Sequence, residues 1–259
     1  MNILMIGCGK MAGSMLRRWQ DLEKYSFTIV DPALERAPEG IRLHAGFPDV
    51  EDQKFDLLIV GIKPQMVNDI LPQYKSVMAD DGFALSIAAG VPAGHVATLL
   101  GGRPVVRVMP NLPTAYGVGM SAIYKGKGVS EAQAGHVETL IEATGKFITV
   151  EEEDRIDRFT AIAGSGPGYV FEFMNSFASA ATELGFDAEE ARMLAVETVL
   201  GTAHMASHEE RALADLRDDV TSPNGTTQAG LDVLRRGGDL ADLLRETTEA
   251  AYRRACELR

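Results

Sequence analysis

The chain has 259 residues, 46% of them apolar and 24% charged, and a formal net charge of −12. That length holds one large domain or two ordinary ones, with a core that needs no metal or disulfide staple, and the composition excludes disorder. Such acidity disfavours binding to nucleic acid, whose phosphates are held mainly by Lys and Arg, and to anionic membrane surfaces.

Residues 2–7 are a short apolar run, followed by glycine-rich sequence and a helical stretch ending at Trp19. Further strand-like runs fall at 27–31, 55–61, 83–88, 105–109, 121–124 and 146–150. Helical stretches fall at 66–78, 92–100 and 130–144, whereas 32–54 predicts an irregular crossover. Short apolar runs that do not alternate, separated by helices, predict a buried parallel sheet of βαβ units. From residue 155 onward the pattern is helical throughout, over 155–184, 187–208, 211–218, 226–236 and 239–258. Asp187 with Glu190 fits a capping box, and Asp239 marks another helix start. Gly164-Ser165-Gly166-Pro167-Gly168 must break or kink the first of these helices. The expected organisation is an α/β domain over 1–152 and an all-helical domain over 153–259.

The charge follows the same division. Residues 1–150 carry a net charge of −1 and residues 151–259 a net charge of −11, and all eight lysines lie at or before Lys146. The stretch Glu151-Glu152-Glu153-Asp154 at the junction reads as a solvated helix start, where carboxylates suit the helix dipole. With only Cys8 and Cys256 there is no disulfide framework, so a reducing cytoplasm is the expected location. Met1 leads directly into an apolar run, so no secretory leader is expected, and no run of about 18 apolar residues suggests a membrane span.

Gly7-Cys8-Gly9-Lys10-Met11-Ala12 follows a strand and opens a helix, in the pattern G-x-G-x-x-A. The first glycine permits the tight turn, the second lets a pyrophosphate approach the backbone, and Ala12 permits close helix–strand packing. The helix N-terminus then offers amide donors and partial positive charge to the phosphates. Asp31 ends the second strand, where an acid can bond the adenosine ribose hydroxyls. It also repels a 2′-phosphate, so the sequence leans to NADH over NADPH, with Arg36 nearby opposing that lean. Cys8 reads as a small buried residue rather than a reactive thiol.

Ser222-Pro223-Asn224-Gly225-Thr226-Thr227 precedes a helix in the acidic half. On its own it reads first as a helix cap with turn residues, and second as a set of hydroxyls and amides converging on a carboxylate. No metal site is expected. His204 and His208 stand at i, i+4 but lack an intervening Glu at the zincin position. No Ser lies in G-x-S-x-G, and no hydrolase triad is legible.

Taken in order, Gly7 to Ala12, Lys63-Pro64-Gln65, Ala88-Ala89-Gly90, Arg107-Val108-Met109-Pro110-Asn111, Gly164-Ser165-Gly166-Pro167 and Ser222 to Thr227 resemble the pyrroline-5-carboxylate reductase family over nearly the whole chain. The resemblance implies a Rossmann domain followed by a helical dimerisation domain, with homodimers interlocked through those helices and commonly assembled to decamers. It implies hydride transfer from NADPH or NADH to the imine carbon of L-1-pyrroline-5-carboxylate, giving L-proline.

By the same resemblance, Gly7, Cys8, Gly9, Lys10, Met11, Ala12, Asp31, Lys63, Pro64, Ala89 and Asn111 hold the dinucleotide. Ser222, Gly225, Thr226 and Thr227 hold the substrate carboxylate, the Thr227 hydroxyl faces the ring nitrogen as the catalytic group, and Glu210 matches an acidic position near the substrate. Asn224 stands where the family turn has glycine, and Asn tolerates the left-handed conformation. Other readings are reduction of a different cyclic imine, a β-hydroxyacid dehydrogenase-like enzyme, and a dinucleotide-binding regulator without chemistry. The dehydrogenase would want a Lys or His base in the helical half, where there is no lysine. The regulator would have no need of the Ser222 turn.

Overall fold

The computed structural model describes residues 1–258. The first compact unit spans 1–165 and takes in the C-terminal residues from Ala251, and the second spans 166–250. The compact units therefore divide at Ser165/Gly166, whereas the composition changes near residue 151.

The first unit is built on one sheet of eight strands. These are β1 (Asn2–Ile6), β2 (Ser26–Val30), β3 (Arg42–His44), β4 (Phe55–Val60), β5 (Met78–Ser86), β6 (Val105–Pro110), β7 (Gly119–Lys125) and β8 (Gly145–Val150), in the order β3-β2-β1-β4-β5-β6-β7-β8. β1 shows why the runs do not alternate. Ile3 and Met5 enter one core, with Trp19, Phe27 and Leu140, while Leu4 and Ile6 enter another, with Val67, Leu71 and Val96. Both faces of the strand are covered, so both must be apolar. Helix α1 (Lys10–Trp19) and helix α4 (Glu131–Glu142) share the first core. There the Trp19 indole donates to the Leu140 carbonyl at 2.6 Å. The helix α3 (Ala93–Leu99) lies over the second core.

Three expectations change. The sheet is parallel except at one pair, where β7 runs antiparallel to β6. The connection over 111–118 is too short for the crossover that a parallel pair requires, which is about a dozen residues or more. The crossover over 32–54 contains a short edge strand, β3, and a 3-10 turn at Phe47–Asp49. The helix expected at 66–78 is a chain of 3-10 turns at Pro64–Met66 and Leu71–Val77 around the single turn α2 (Val67–Ile70). Pro72 has no N–H for an α-helical bond.

The acidic junction also differs from its reading as a solvated stretch. Arg107 on β6 is only 3% exposed. Its guanidinium lies 3.0 Å from Glu153 Oε1 and 3.7 Å from Oδ1 of the buried Asp157. Glu153 Oε1 also accepts the backbone N–H of Ala93 at 2.7 Å, holding the start of α3. Glu151 and Glu152 are exposed, as expected of a solvated stretch.

Helix α5 (Arg155–Phe159) runs into a π-turn at Thr160–Gly164, and the chain restarts as α6 (Gly166–Glu183) at the expected glycine-rich break. The second unit continues with α7 (Ala188–His208), α8 (Leu213–Asp219), α9 (Thr226–Leu234) and α10 (Asp239–Glu257), whose last turns belong to the first unit. The Asp187–Glu190 capping box is formed, with both partners bonded. Helices α6 and α7 leave Phe171, Phe173, Phe177, Met193, Leu200 and Met205 exposed. No helix among the described residues is long and apolar enough to cross a membrane.

Arg107→Ala would remove the cation that faces two carboxylates, one of them buried. We expect a loss of about 3 kcal/mol of stability, read from urea denaturation. Arg158→Ala, which breaks an exposed pair with Asp154, is expected to lower stability far less in the same measurement.

Candidate active site

Strand order reverses between β1 and β4, and in such sheets ligands bind in the crevice at the carboxyl ends of those strands. Two glycines shape it. The Gly7 N–H donates to the Val30 carbonyl and the Gly61 N–H to the Ile6 carbonyl, each at 2.9 Å. Gly7 has φ +83°, and a methyl group there would lie 2.7 Å from Ile62 Cγ2. A methyl on Gly61 would lie 2.6 Å from the Gly7 carbonyl oxygen and 3.0 Å from Ala12 Cβ. The two backbones touch, with Ala12 closing over them. Gly9 is the opposite case. It is the N-cap of α1, has no side chain to cap it, and an added Cβ would meet nothing within 4 Å. Open space over an uncapped helix start is what a pyrophosphate needs, so these residues fit a dinucleotide.

Cavities flank this turn. One of about 460 Å³ is lined by Gly7, Gly9, Asp31, Phe47, Ile62 and Lys63. Another of about 720 Å³ is lined by Cys8, Lys10, Asp31, Arg17, Arg36 and Leu112. Asp31 borders both, and its carboxylate already shapes the loop. Oδ2 accepts the Cys8 N–H at 2.7 Å and Oδ1 accepts the Ala33 N–H at 2.9 Å. The Cys8 amide is thus held by Asp31, leaving the helix start from Lys10 for a phosphate. Burial, and then the Asp31 charge, push the Cys8 thiol up to about 11. The thiol is therefore protonated at neutral pH, in keeping with a packing role.

Lys63 is exposed at the smaller cavity. Pro64 instead lines a separate hollow of about 470 Å³ with Gly90, His95 and Leu258. Ala89 is exposed in the turn after β5, beside Gly90, where a Cβ would overlap the Leu258 carbonyl. Asn111 is 8% exposed and both ends of its amide are used within the protein. Nδ2 donates to the Ala163 carbonyl at 3.0 Å and Oδ1 accepts the Met120 N–H at 2.9 Å.

In the second unit the Gly225 N–H donates to the Ser222 carbonyl at 2.9 Å, closing the turn. Asn224 takes φ 57°, the left-handed value that a glycine would take freely. Gly225 is the N-cap of α9 and provides no side-chain cap. With the Gly225 amide spent in the turn, the amides of Thr226, Thr227 and Gln228 are left at this helix start, beside the exposed Ser222, Thr226 and Thr227 side chains. Glu210 is exposed in the connection between α7 and α8. His204 and His208 lie against each other at a 51° tilt, with ring centroids 4.3 Å apart, and His208 Nδ1 lies 2.9 Å from the His204 carbonyl.

Sequence reading missed Arg107, Glu153 and Asp157, although an arginine inside an apolar strand signals a buried partner. It also missed Arg17, whose place beside the larger cavity follows only once α1 is packed.

The strand order and the Gly7–Ala12 turn place the chain among the dinucleotide-binding oxidoreductases with a Rossmann-type domain, here carried with a helical second unit. The family model described as pyrroline-5-carboxylate reductase dimerisation matches residues 153–258. The pyrroline-5-carboxylate reductase of Pseudomonas aeruginosa is 34% identical, over 99% of this chain and 96% of its own. A solved pyrroline-5-carboxylate reductase from Coxiella burnetii superposes with a TM-score of 0.91 at 30% identity, covering 99% of this chain and 98% of that one. A Plasmodium falciparum pyrroline carboxylate reductase with NADP bound has the same fold, with a TM-score of 0.84 at 22% identity over 99% of this chain and 97% of its own. The chain belongs to the pyrroline-5-carboxylate reductase family.

The Cys8 environment makes a testable statement about alkali. The thiol is raised from 9.0 to about 11, so the folded state keeps a proton that the unfolded chain loses. The resulting stabilisation is complete below about pH 9 and disappears as pH rises to about 11. We expect the denaturation midpoint to fall across that window, and Cys8→Ala to flatten the fall.

Proposed function

We propose that this protein reduces L-1-pyrroline-5-carboxylate to L-proline with NADH or NADPH. The observation that carries the reading is a pair of uncapped helix starts, at Gly9 and at Gly225, each preceded by a tight turn. One suits a pyrophosphate and the other a carboxylate, and neither needs a lysine.

Bound NAD(P)H supplies a hydride to the imine carbon. The chain itself binds and orients. The amides from Lys10 at the start of α1 hold the pyrophosphate, and Asp31, beside both cavities, holds the ribose hydroxyls. The Ser222 hydroxyl and the amides of Thr226 and Thr227 hold the substrate carboxylate. The Thr227 hydroxyl faces the ring nitrogen, orients it and relays its proton. An iminium accepts hydride more readily than an imine, so little acid–base machinery is required and positioning supplies most of the effect. Lys63 lines the dinucleotide cavity from the side of β4. Glu210 lies near the substrate in the assembled enzyme.

The protein acts in the cytoplasm as a homodimer joined through the helices of the second unit, and dimers assemble further to decamers. The exposed Phe171, Phe173, Phe177 and Met193 support an apolar interface on α6 and α7.

The first test is loss of NAD(P)H absorbance when the pyrroline carboxylate is added. No loss would refute the reaction and leave the dinucleotide-binding regulator. Thr227→Val is expected to lower turnover at least tenfold, or about 1.4 kcal/mol, while NADH binding stays unchanged. Unchanged turnover removes Thr227 from the chemistry. NADH is expected to serve at least comparably to NADPH. A specificity constant favouring NADPH by more than about a hundredfold, on the order of 2.7 kcal/mol, would show that the cations at Lys10, Arg17 and Arg36 outweigh Asp31.

A further inference from the structure

Helix α5 and the π-turn at Thr160–Gly164 pack on the sheet through Ile156, Phe159 and Ala163, against Met109 and Met120. The Ser165 N–H reaches back five residues to the Thr160 carbonyl at 2.8 Å. Helical segments of this kind are rare, are less favourable than α-helix and recur at functional sites. In an α-helix the Ala163 carbonyl would accept the N–H of residue 167, four positions on. Residue 167 is proline and has no N–H. A half-buried carbonyl left without its helical donor carries a desolvation cost. Asn111 Nδ2 donates to this oxygen at 3.0 Å.

The orientation of that amide is fixed from both ends. A carbonyl must face its nitrogen, and the Met120 N–H, at 2.9 Å, must face its oxygen. Asn111 follows β6 directly, at the carboxyl edge of the sheet, and a Cβ built on Gly164 would lie 3.5 Å from Met109 Cε. Aspartate at 111 would place an acceptor against an acceptor, and alanine would leave both groups without this partner.

We propose that Asn111 is a positioning residue. It replaces the hydrogen-bond donor that Pro167 lacks, and so holds the π-turn and Gly164 in register against the end of β6 for hydride transfer. This rests on the reduction proposed above. It also gives Asn111 a task inside the protein, which occupies one N–H and one oxygen lone pair of its amide.

Pro167→Ala restores a backbone donor at the missing position and is therefore the matched rescue. The experiment compares the wild-type enzyme with Asn111→Ala, Pro167→Ala and the double variant. It reads kcat and KM for the pyrroline carboxylate, the Kd for NADH and the Tm. Asn111→Ala is expected to lower kcat fivefold or more while the Kd for NADH stays within threefold. The double variant is expected to turn over at least twofold faster than Asn111→Ala.

A smaller fall in kcat overturns the proposal, as does a larger change in Kd, which would mark direct cofactor contact. A double variant no faster than Asn111→Ala also overturns it. Asn111→Asp keeps the size and the acceptor for Met120. It serves if the alanine variant does not fold, and wild-type kcat in that variant overturns the proposal equally. If the wild-type enzyme leaves the imine unreduced, the reaction assignment fails instead. The positioning role is then read from the Tm values. The two substitutions should fail to add if Asn111 stands in for the missing donor, and simple additivity overturns the role.

Discussion

The contact between two backbones, Gly7 on Gly61 with Ala12 over them, is the constraint on which the first unit depends. It sits where the strand order reverses, so it fixes both the height at which α1 leaves the sheet and the floor of the crevice beneath Gly9. A single Cβ at either glycine would meet carbonyl oxygen or a β-branched side chain at distances that side chains do not adopt. The permissive glycine, Gly9, and the restrictive ones, Gly7 and Gly61, therefore do opposite jobs. Two bring protein against protein, and the third keeps protein away.

The chain handles negative charge with little use of lysine. At Gly9 and at Gly225 a helix begins without a side-chain cap, and the first-turn amides remain for a ligand. The helix at Asp187 shows the alternative, with a capping box that satisfies its own amides. An uncapped start is not confined to Gly9 and Gly225, since α8 also begins without a side-chain cap, at Ala212. Open amides of this kind can meet a carboxylate even in a half-chain of net charge −11. Short-range donors at a turn act over a few ångströms, whereas dispersed surface carboxylates are screened by salt within about 10 Å.

Groups read from the sequence as ligand-binding are partly engaged in the fold. Asp31 gives one oxygen to the Cys8 N–H in the glycine turn and the other to the Ala33 N–H, Asn111 engages both ends of its amide between β7 and the π-turn, and Gly225 gives its N–H to the Ser222 carbonyl. Arg107, silent as a functional residue, holds the buried ion cluster through which β6 meets the junction. Such engagement fixes geometry, which is what the proposed reduction, with little acid–base chemistry, requires.

The sequence by itself determined the class and the two glycine-bearing turns that open helices. Strand runs apolar on both faces, a glycine turn between strand and helix, an Asp187–Glu190 cap and a helix-only second half are local patterns, and each follows from the residues within a few positions. Tertiary structure alone decided what depends on distant partners. The antiparallel β7 follows from a connection too short to cross over, and β3 forms because β2 offers it an edge. Glu153 is drawn from solvent by an arginine 46 positions away. The partner of Ala163 lies 52 residues earlier in the chain. Local chemistry states which groups need partners, but only the packed sheet decides which partners reach them.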